Sequence, residues 1–228
     1  PVLLEKPVAH NLDDARLIVN EAEQSGTILQ IGHLERFNAG VVRLHEELDR
    51  PRFIEVHRLS EFVERATDVD VVTDLMIHDI DIVLNLIDSK VKQINVVGAS
   101  VFSKIDDLVN AQLQFENGCI ANIIASRASQ NKVRTLSITQ PDSYVILDYT
   151  EQEIFVHRQS SSESTLTRDF LRYKQETLVE RIFVHKDNPL KLEIKHFIDC
   201  AKNGSPRKVA VDNELYSCLL YTSDAADE

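Results

Sequence analysis

The chain has 228 residues, a formal net charge of −12 and three cysteines, and its length allows one domain or one domain with part of another. The acidic charge disfavours nucleic-acid binding, and no apolar run approaches the roughly 20 residues that span a bilayer. The cysteines are not spaced for a disulfide framework or a CxxC metal site, which fits a reducing cytoplasm.

The first elements are those of a parallel sheet. Residues 1–5 predict a strand whose upstream partners are missing, so we expect the sequence to be a fragment. Asn11 gives a helix-start signal and Gly26 stands where that helix should end. Residues 27–31 predict a second strand, and a strand, helix, strand unit builds parallel sheets. Residues 1–36 are therefore predicted to be the end of a doubly wound domain.

Residues 37–217 predict a second domain of the α+β class. A short helix, a strand at 53–59 and a long apolar helix at 69–87 come first, and apolar residues then alternate in several runs up to 184. Asn117-Gly118 predicts a hairpin, and residues 160–164, all serine or glutamate, predict a loop. We expect a mixed, largely antiparallel sheet with flanking helices, the last of them at 189–202.

Residues 218–228 follow no periodic pattern. They resemble the conceptual translation of a sequencing adapter, so we interpret them as an assembly artefact outside the functional protein. An ordinary tail is the alternative.

Lys6, directly after the first strand, is one candidate for chemistry. Ligands of open parallel sheets bind beyond the carboxyl ends of the strands, which is where Lys6 is expected. Desolvation lowers the pKa of an amine and suits it to interact with a substrate hydroxyl. The alternative is a solvated strand end before the turn at Pro7.

Asp74 and His78 are a second candidate because residues four apart stack on one face of a helix. Their neighbours are apolar almost all round, which predicts a buried helix where polar groups need a purpose. Histidine can accept a proton from an alcohol and the carboxylate can orient it; a structural pair is the alternative. Asp79 and Asp81 diverge around the helix from His78, so no metal site is expected.

The order of these motifs resembles the Gfo/Idh/MocA family of NAD(P)-dependent sugar oxidoreductases, although no glycine-rich phosphate loop is present. The resemblance covers residues 1–217 and rests on Glu5-Lys6-Pro7, Gly32-His33-Leu34-Glu35-Arg36-Phe37-Asn38, Asp74-Leu75-Met76-Ile77-His78-Asp79-Ile80-Asp81 and the ending at 192–204.

The resemblance implies a remnant of a Rossmann domain at 1–36 and a substrate and oligomerisation domain at 37–217. It implies NAD or NADP as cofactor, cytoplasmic location, and a homodimer or homotetramer formed through the C-terminal sheet. Lys6 and His78 would be catalytic, with Asp74 assisting, and all three would contact the substrate. The implied cofactor side is formed by Glu5, Lys6, Pro7, His33 and Arg36.

The closest similarity within the family is to members acting on nucleotide-activated amino sugars such as UDP-N-acetylglucosamine, whose products feed lipid A synthesis. Arg58 and Arg127, with Lys132 and Arg134, are then candidates to meet a substrate diphosphate; solvated surface residues are the alternative. A dehydrogenase of a free sugar or inositol is a second possibility. A non-catalytic sugar- or dinucleotide-sensing member is a third, and the fragment itself is expected to be inactive.

Overall fold

The computed structural model describes residues 1–63, 69–166, 171–208 and 211–222. Five α-helices lie in these ranges: α1 (Leu12–Gln24), α2 (Ala39–Leu44), α3 (Ile77–Leu86), α4 (Pro189–Asn203) and α5 (Val211–Thr222). Short 3-10 turns occupy Leu34–Phe37 and His45–Glu47, and a π-helical segment at Val72–Met76 leads into α3. Within the described ranges, no helix combines the length and the apolar character needed to cross a bilayer.

Two strands form a small parallel sheet, as the sequence predicts. They are β1 (Val2–Glu5) and β2 (Leu29–Gly32), with Val2 opposite Leu29 and Glu5 opposite Gly32. The connecting helix α1 begins where Asn11 Oδ1 accepts a hydrogen bond of 2.8 Å from the Asp14 amide. The second strand begins two residues later than predicted, because the Thr27 amide closes the end of α1 by donating to the Ala22 carbonyl.

The other strands form one eight-stranded sheet in the order β10-β9-β8-β7-β3-β6-β5-β4. They are β3 (Phe53–Leu59), β4 (Val91–Ala99), β5 (Leu108–Phe115), β6 (Ile120–Ser126), β7 (Val133–Gln140), β8 (Ser143–Asp148), β9 (Glu153–Leu166) and β10 (Leu171–Ile182). Neighbours are antiparallel except β3 and β6, which run parallel. The predicted fold class, mixed and largely antiparallel, is confirmed.

The main hydrophobic core lies between one face of this sheet and the helical segments packed against it. Apolar residues at every second position of β3, β6, β7 and β8 face inward, as Ile54 and Val56 do in β3. Met76, Ile82 and Val83 of the π segment and α3 pack into the same cluster. This packing places the side chains at the start of α3 over the inner face of the sheet.

Turn chemistry fixes several boundaries that the sequence predicts. Gly118 has a φ of 83° between β5 and β6, and Gly204 has a φ of 69° where it ends α4. The predicted loop at 160–164 is wrong, because these residues belong to β9 and all of them except Ser160, which stands at a register shift, pair with β10. Backbone hydrogen bonds to a neighbouring strand hold this polar stretch extended, and such pairing does not depend on an apolar side-chain pattern.

Helix α5 continues through residues that the sequence analysis set apart. It extends to Thr222, and Cys218 is buried against Ala15, Leu29 and Ile31. The helix-like pattern therefore does not break off at residue 218, and residues 223–228 lie outside the described residues. The foreign origin of 218–228 stays a prediction.

Candidate active site

Lys6 lies at the carboxyl end of the two parallel strands. Its side chain binds the helical segment that packs against the large sheet. Its Nζ donates to the backbone carbonyls of Asp74 at 2.7 Å and Thr73 at 3.1 Å. Burial lowers the pKa of the Lys6 amine, and the nearby Asp74 charge opposes that effect only in part. The amine is therefore held in one place and is more acidic than an exposed lysine.

The carbonyls that bind Lys6 belong to the π-helical segment. Asp70 caps its start, since Asp70 Oδ1 accepts from the amides of Val72 at 2.8 Å and Thr73 at 2.9 Å. The Ile77 amide donates to the Val72 carbonyl, five residues back, as a π turn requires. Asp70 is therefore a helix cap.

His78 follows one turn later and faces the same site. Burial lowers its pKa well below the ordinary value, and the positive charges of Arg58 and Lys6 lower it further. The imidazole is therefore neutral at pH 7 and can accept a proton. Its Nδ1 is buried and has no hydrogen-bond partner among the described residues.

Asp74 differs from its predicted role in one respect. Within the described part of the chain, no hydrogen bond joins the Asp74 carboxylate to the His78 imidazole, although the half-buried Asp74 charge acts on Lys6. Asp74 belongs to the π segment and His78 to α3, so the two residues do not lie on one regular α-helix. Asp74 contacts Lys6 through its backbone carbonyl.

Arg58 is buried, with 2% of its surface exposed, and it forms an ion pair inside the core. Its Nε and Nη2 donate to the two carboxylate oxygens of Asp79 at 2.6 and 2.8 Å, and Nη1 lies 3.3 Å from Glu35. Burial disfavours its charge, but Asp79 outweighs that effect and raises the pKa of Arg58. This geometry does not support the predicted contact with a substrate diphosphate, since the guanidinium is already occupied.

Arg127 is equally unsuited to the predicted substrate contact. It is buried, its Nε donates to Asp107 at 2.8 Å, and its Nη1 donates to the Val69 carbonyl at 2.7 Å. The bond to Val69 attaches the segment before the π helix to the residue that directly follows β6. Arg127 therefore positions the chain next to the site without reaching into it.

The predicted cofactor residues divide into two groups. Arg36 is buried and binds both carboxylate oxygens of Asp81 at 2.7 Å, with His33 Nδ1 3.5 Å from the same carboxylate. These two side chains lie behind the site and offer little surface to a cofactor. Glu5 is exposed beside Gly32, and Lys6 and Pro7 are only partly buried, so these three can face a ligand.

Asp79 and Asp81 therefore bind two different arginines, and no cluster in the described ranges of the chain has the ligands for a metal ion.

The sequence prediction did not include Glu193 of α4, which is buried close to Glu5 and His33. Burial and the Glu5 charge raise the pKa of Glu193 to about 7. A signal was present, because Glu193 and the buried Cys200 are seven apart and share one helix face.

Comparison with known proteins gives consistent results. The family model for the GFO/IDH/MocA C-terminal domain matches residues 30–142. UDP-N-acetylglucosamine 3-dehydrogenase of Acidithiobacillus ferrooxidans is 29% identical over 160 residues, which are 70% of this chain and 51% of that protein. The scyllo-inositol 2-dehydrogenase (NAD(+)) of Bacillus subtilis is 20% identical over 89% of this chain and 61% of its own length. The chain thus spans about half to three fifths of these relatives.

A solved structure supports the same fold. UDP-N-acetylglucosamine 3-dehydrogenase GnnA from Acidithiobacillus ferrooxidans superposes with a TM-score of 0.84 and 25% identity, over 96% of this chain and 67% of that one. A levoglucosan dehydrogenase in complex with NADH and L-sorbose gives a TM-score of 0.74 at 15% identity, covering 96% of this chain and 68% of its own, which is a likeness of fold.

Proposed function

We propose that the whole protein is an oxidoreductase of the GFO/IDH/MocA family that oxidises a sugar hydroxyl, with NAD or NADP as cofactor. One observation carries the proposal: a neutral His78 and a lysine of lowered pKa, Lys6, lie together at the carboxyl end of parallel strands. That edge is where open parallel sheets bind their ligands.

Each residue has a defined task in the proposed reaction. His78 removes the proton of the substrate hydroxyl, and Lys6 donates a hydrogen bond to the same oxygen while negative charge develops on it. The carbonyls of Thr73 and Asp74 hold the ammonium in position for this bond. The negative charge of Asp74 keeps Lys6 protonated more than burial alone would allow. A bound nicotinamide ring supplies the acceptor for the hydride that leaves the carbon.

The residues on the open side fit such a cofactor. Glu5 ends β1, and Lys6 and Pro7 follow it at the edge that a nicotinamide would approach. His33 and Arg36 support this edge from behind through Asp81. The buried Nδ1 of His78, which has no hydrogen-bond partner in the part of the chain that the structure describes, is a polar atom of the kind that a ligand satisfies. In this assignment residues 1–36 belong to the cofactor domain and 37–217 to the substrate domain.

For the substrate we propose a nucleotide-activated amino sugar of the UDP-N-acetylglucosamine type. The similarity to the UDP-N-acetylglucosamine 3-dehydrogenase of Acidithiobacillus ferrooxidans supports this choice, and a contribution to lipid A synthesis would follow from it. The inositol dehydrogenase relatives favour inositol as the second candidate. Exposed apolar residues on β4 and β10, such as Val97 and Leu178, support assembly through the large sheet.

The test uses the full-length protein, NAD or NADP, and a panel containing UDP-N-acetylglucosamine and myo-inositol. His78→Gln and Lys6→Met should each lower kcat by at least about 100-fold, the usual contribution of a positioned acid or base. The matched variants His185→Gln and Lys92→Met change exposed residues and should retain activity. Full turnover in both site variants would refute the assignment.

The pH profile provides a second check. Because the pKa of His78 is lowered well below 6.5, the base stays deprotonated as the pH falls from 7 to 6. We expect kcat/KM to show no acidic limb in that interval. A limb at the pKa of an exposed histidine would contradict the environment described for His78.

A further inference from the structure

Arg134 occupies an unusual position on the inner face of the large sheet. It lies on β7 directly opposite Arg58 of β3, and directly opposed residues of an antiparallel pair share one face. The next inward positions along β7, Leu136 and Ile138, are fully buried. Arg134 therefore ends a row of core residues, half-buried, beside another arginine of the same charge.

The two opposed arginines differ in their partners. Arg58 is neutralised by Asp79 and approached by Glu35, whereas Arg134 forms no side-chain hydrogen bond or ion pair with any residue that the structure describes. Like charges placed opposite each other repel, so the pairing on its own is unfavourable. Burial and the Arg58 charge accordingly lower the pKa of Arg134.

Arg134 also lies close enough to His78 to act on it. Its charge contributes to the lowered pKa of that imidazole, after burial and the charges of Arg58, Lys6 and His33. Of the four basic residues that the sequence suggested as diphosphate ligands, Arg58 and Arg127 are buried in ion pairs and Lys132 is exposed. The fourth, Arg134, is partly enclosed and unpaired within the described ranges, and it lies opposite the arginine that binds Asp79, the residue after the candidate base.

We propose that Arg134 binds an anionic group of the substrate, a phosphate or a carboxylate, and that the substrate of this site is therefore an anionic sugar derivative. A guanidinium binds either group through two parallel hydrogen bonds. Its position fixes the sugar relative to His78 and selects against neutral polyols such as inositol. The proposal rests on the proposed function for the location of the site, but the binding step requires no turnover.

The experiment measures ligand binding to the full-length protein by calorimetry. The ligands are UDP-N-acetylglucosamine, which carries a diphosphate, glucuronic acid, which carries a carboxylate, and neutral N-acetylglucosamine and myo-inositol. Arg134→Gln should weaken the anionic ligand by about 10- to 100-fold in Kd, as expected for hydrogen bonds to a charged group. Arg134→Lys keeps the charge but loses the two-pronged geometry, and should give an intermediate loss.

Arg52→Gln is the matched control, because Arg52 is exposed just before β3. It should leave every Kd within about twofold, since an exposed charge contributes little. The affinities for the neutral ligands should be equal in wild type and Arg134→Gln. Whichever anionic ligand loses affinity in Arg134→Gln identifies the anion as phosphate or carboxylate.

Three results would overturn the proposal: an unchanged Kd in Arg134→Gln, tight binding of a neutral polyol with no binding of either anionic ligand, or no binding of any anionic ligand to wild type. Its failure is distinguishable from failure of the proposed function. Binding through Arg134 without reduction of NAD or NADP would refute the oxidoreductase alone. Turnover that depends on His78 but not on Arg134 would refute the anion site alone.

Discussion

Breaking the buried ion pair between Asp79 and Arg58 should strongly destabilise the fold, and Asp79→Asn tests this. Asp79 is fully buried, Arg58 is 2% exposed, and their N–O distances are 2.6 and 2.8 Å. Two unit charges at these distances attract each other by about 6 kcal/mol at an effective dielectric constant of about 20. Burial of the two charges costs several kcal/mol each, so the intact pair gains little net but is costly to break.

The substitution keeps the shape of Asp79 and removes its charge. Arg58 then remains buried with Glu35, at 3.3 Å, as its nearest carboxylate. Loss of one partner of a buried pair costs about 3–5 kcal/mol. Because Glu35 still compensates part of the Arg58 charge, we expect the lower end, about 3 kcal/mol of the free energy of unfolding.

Urea unfolding followed by far-UV circular dichroism measures this loss, since the chain contains no tryptophan. The matched variant Asp88→Asn changes an exposed aspartate just after the end of α3 and should stay within about 0.5 kcal/mol of wild type. The double variant Asp79→Leu with Arg58→Met should lose less than the sum of its single variants, because no charge is left uncompensated. A loss below about 1 kcal/mol in Asp79→Asn would refute the reasoning.

Two further predictions concern α4. Gly204→Ala should lower the free energy of unfolding by about 1 kcal/mol, measured in urea. The cost is conformational, because Gly204 has a φ of 69° and the added Cβ meets no atom within 4 Å. Gly204→Asn should lower that free energy by less, and equal losses in the two variants would contradict this explanation. Glu193 has a folded pKa of about 7, above its ordinary value, so the folded chain holds a proton that the unfolded chain has released. Stability should therefore fall as the pH rises from 5 to 7. Glu193→Gln should remove that slope in thermal unfolding, and an unchanged slope would show that another group is responsible.

Local signals made the ends of several elements predictable. Asn11 caps α1 through its own side chain, and Gly118 and Gly204 adopt the positive φ values that turns and helix ends require. Each of these features is decided within a few residues, so one sequence contains the information. The π segment was not predictable in this way, because the lysine that binds its carbonyls, Lys6, is 67 residues away from Thr73 in the chain.

The ion pairs were half predictable. Arg58 follows Ile54 and Val56 at every second residue of β3, which places it on the buried face and demands a partner. The sequence also shows aspartates in an apolar helix, which demand partners for the same reason. It does not show that Asp79 meets Arg58, since that contact depends on how α3 packs on the sheet. Without the pairing, Arg58 resembled a substrate ligand.

Helix α3 carries the candidate base and also the residues that hold it in place. Asp79 binds Arg58 of the large sheet, and Asp81 binds Arg36 in the turn that follows β2 of the small sheet. Successive helical residues point in different directions, so His78 faces the site while its neighbours face inward. Lys6 adds a third attachment through the π segment. Because an error of about 1 Å in a reacting group can cost about 100-fold in rate, these attachments to both sheets fix the distance between His78 and Lys6 on which proton transfer depends.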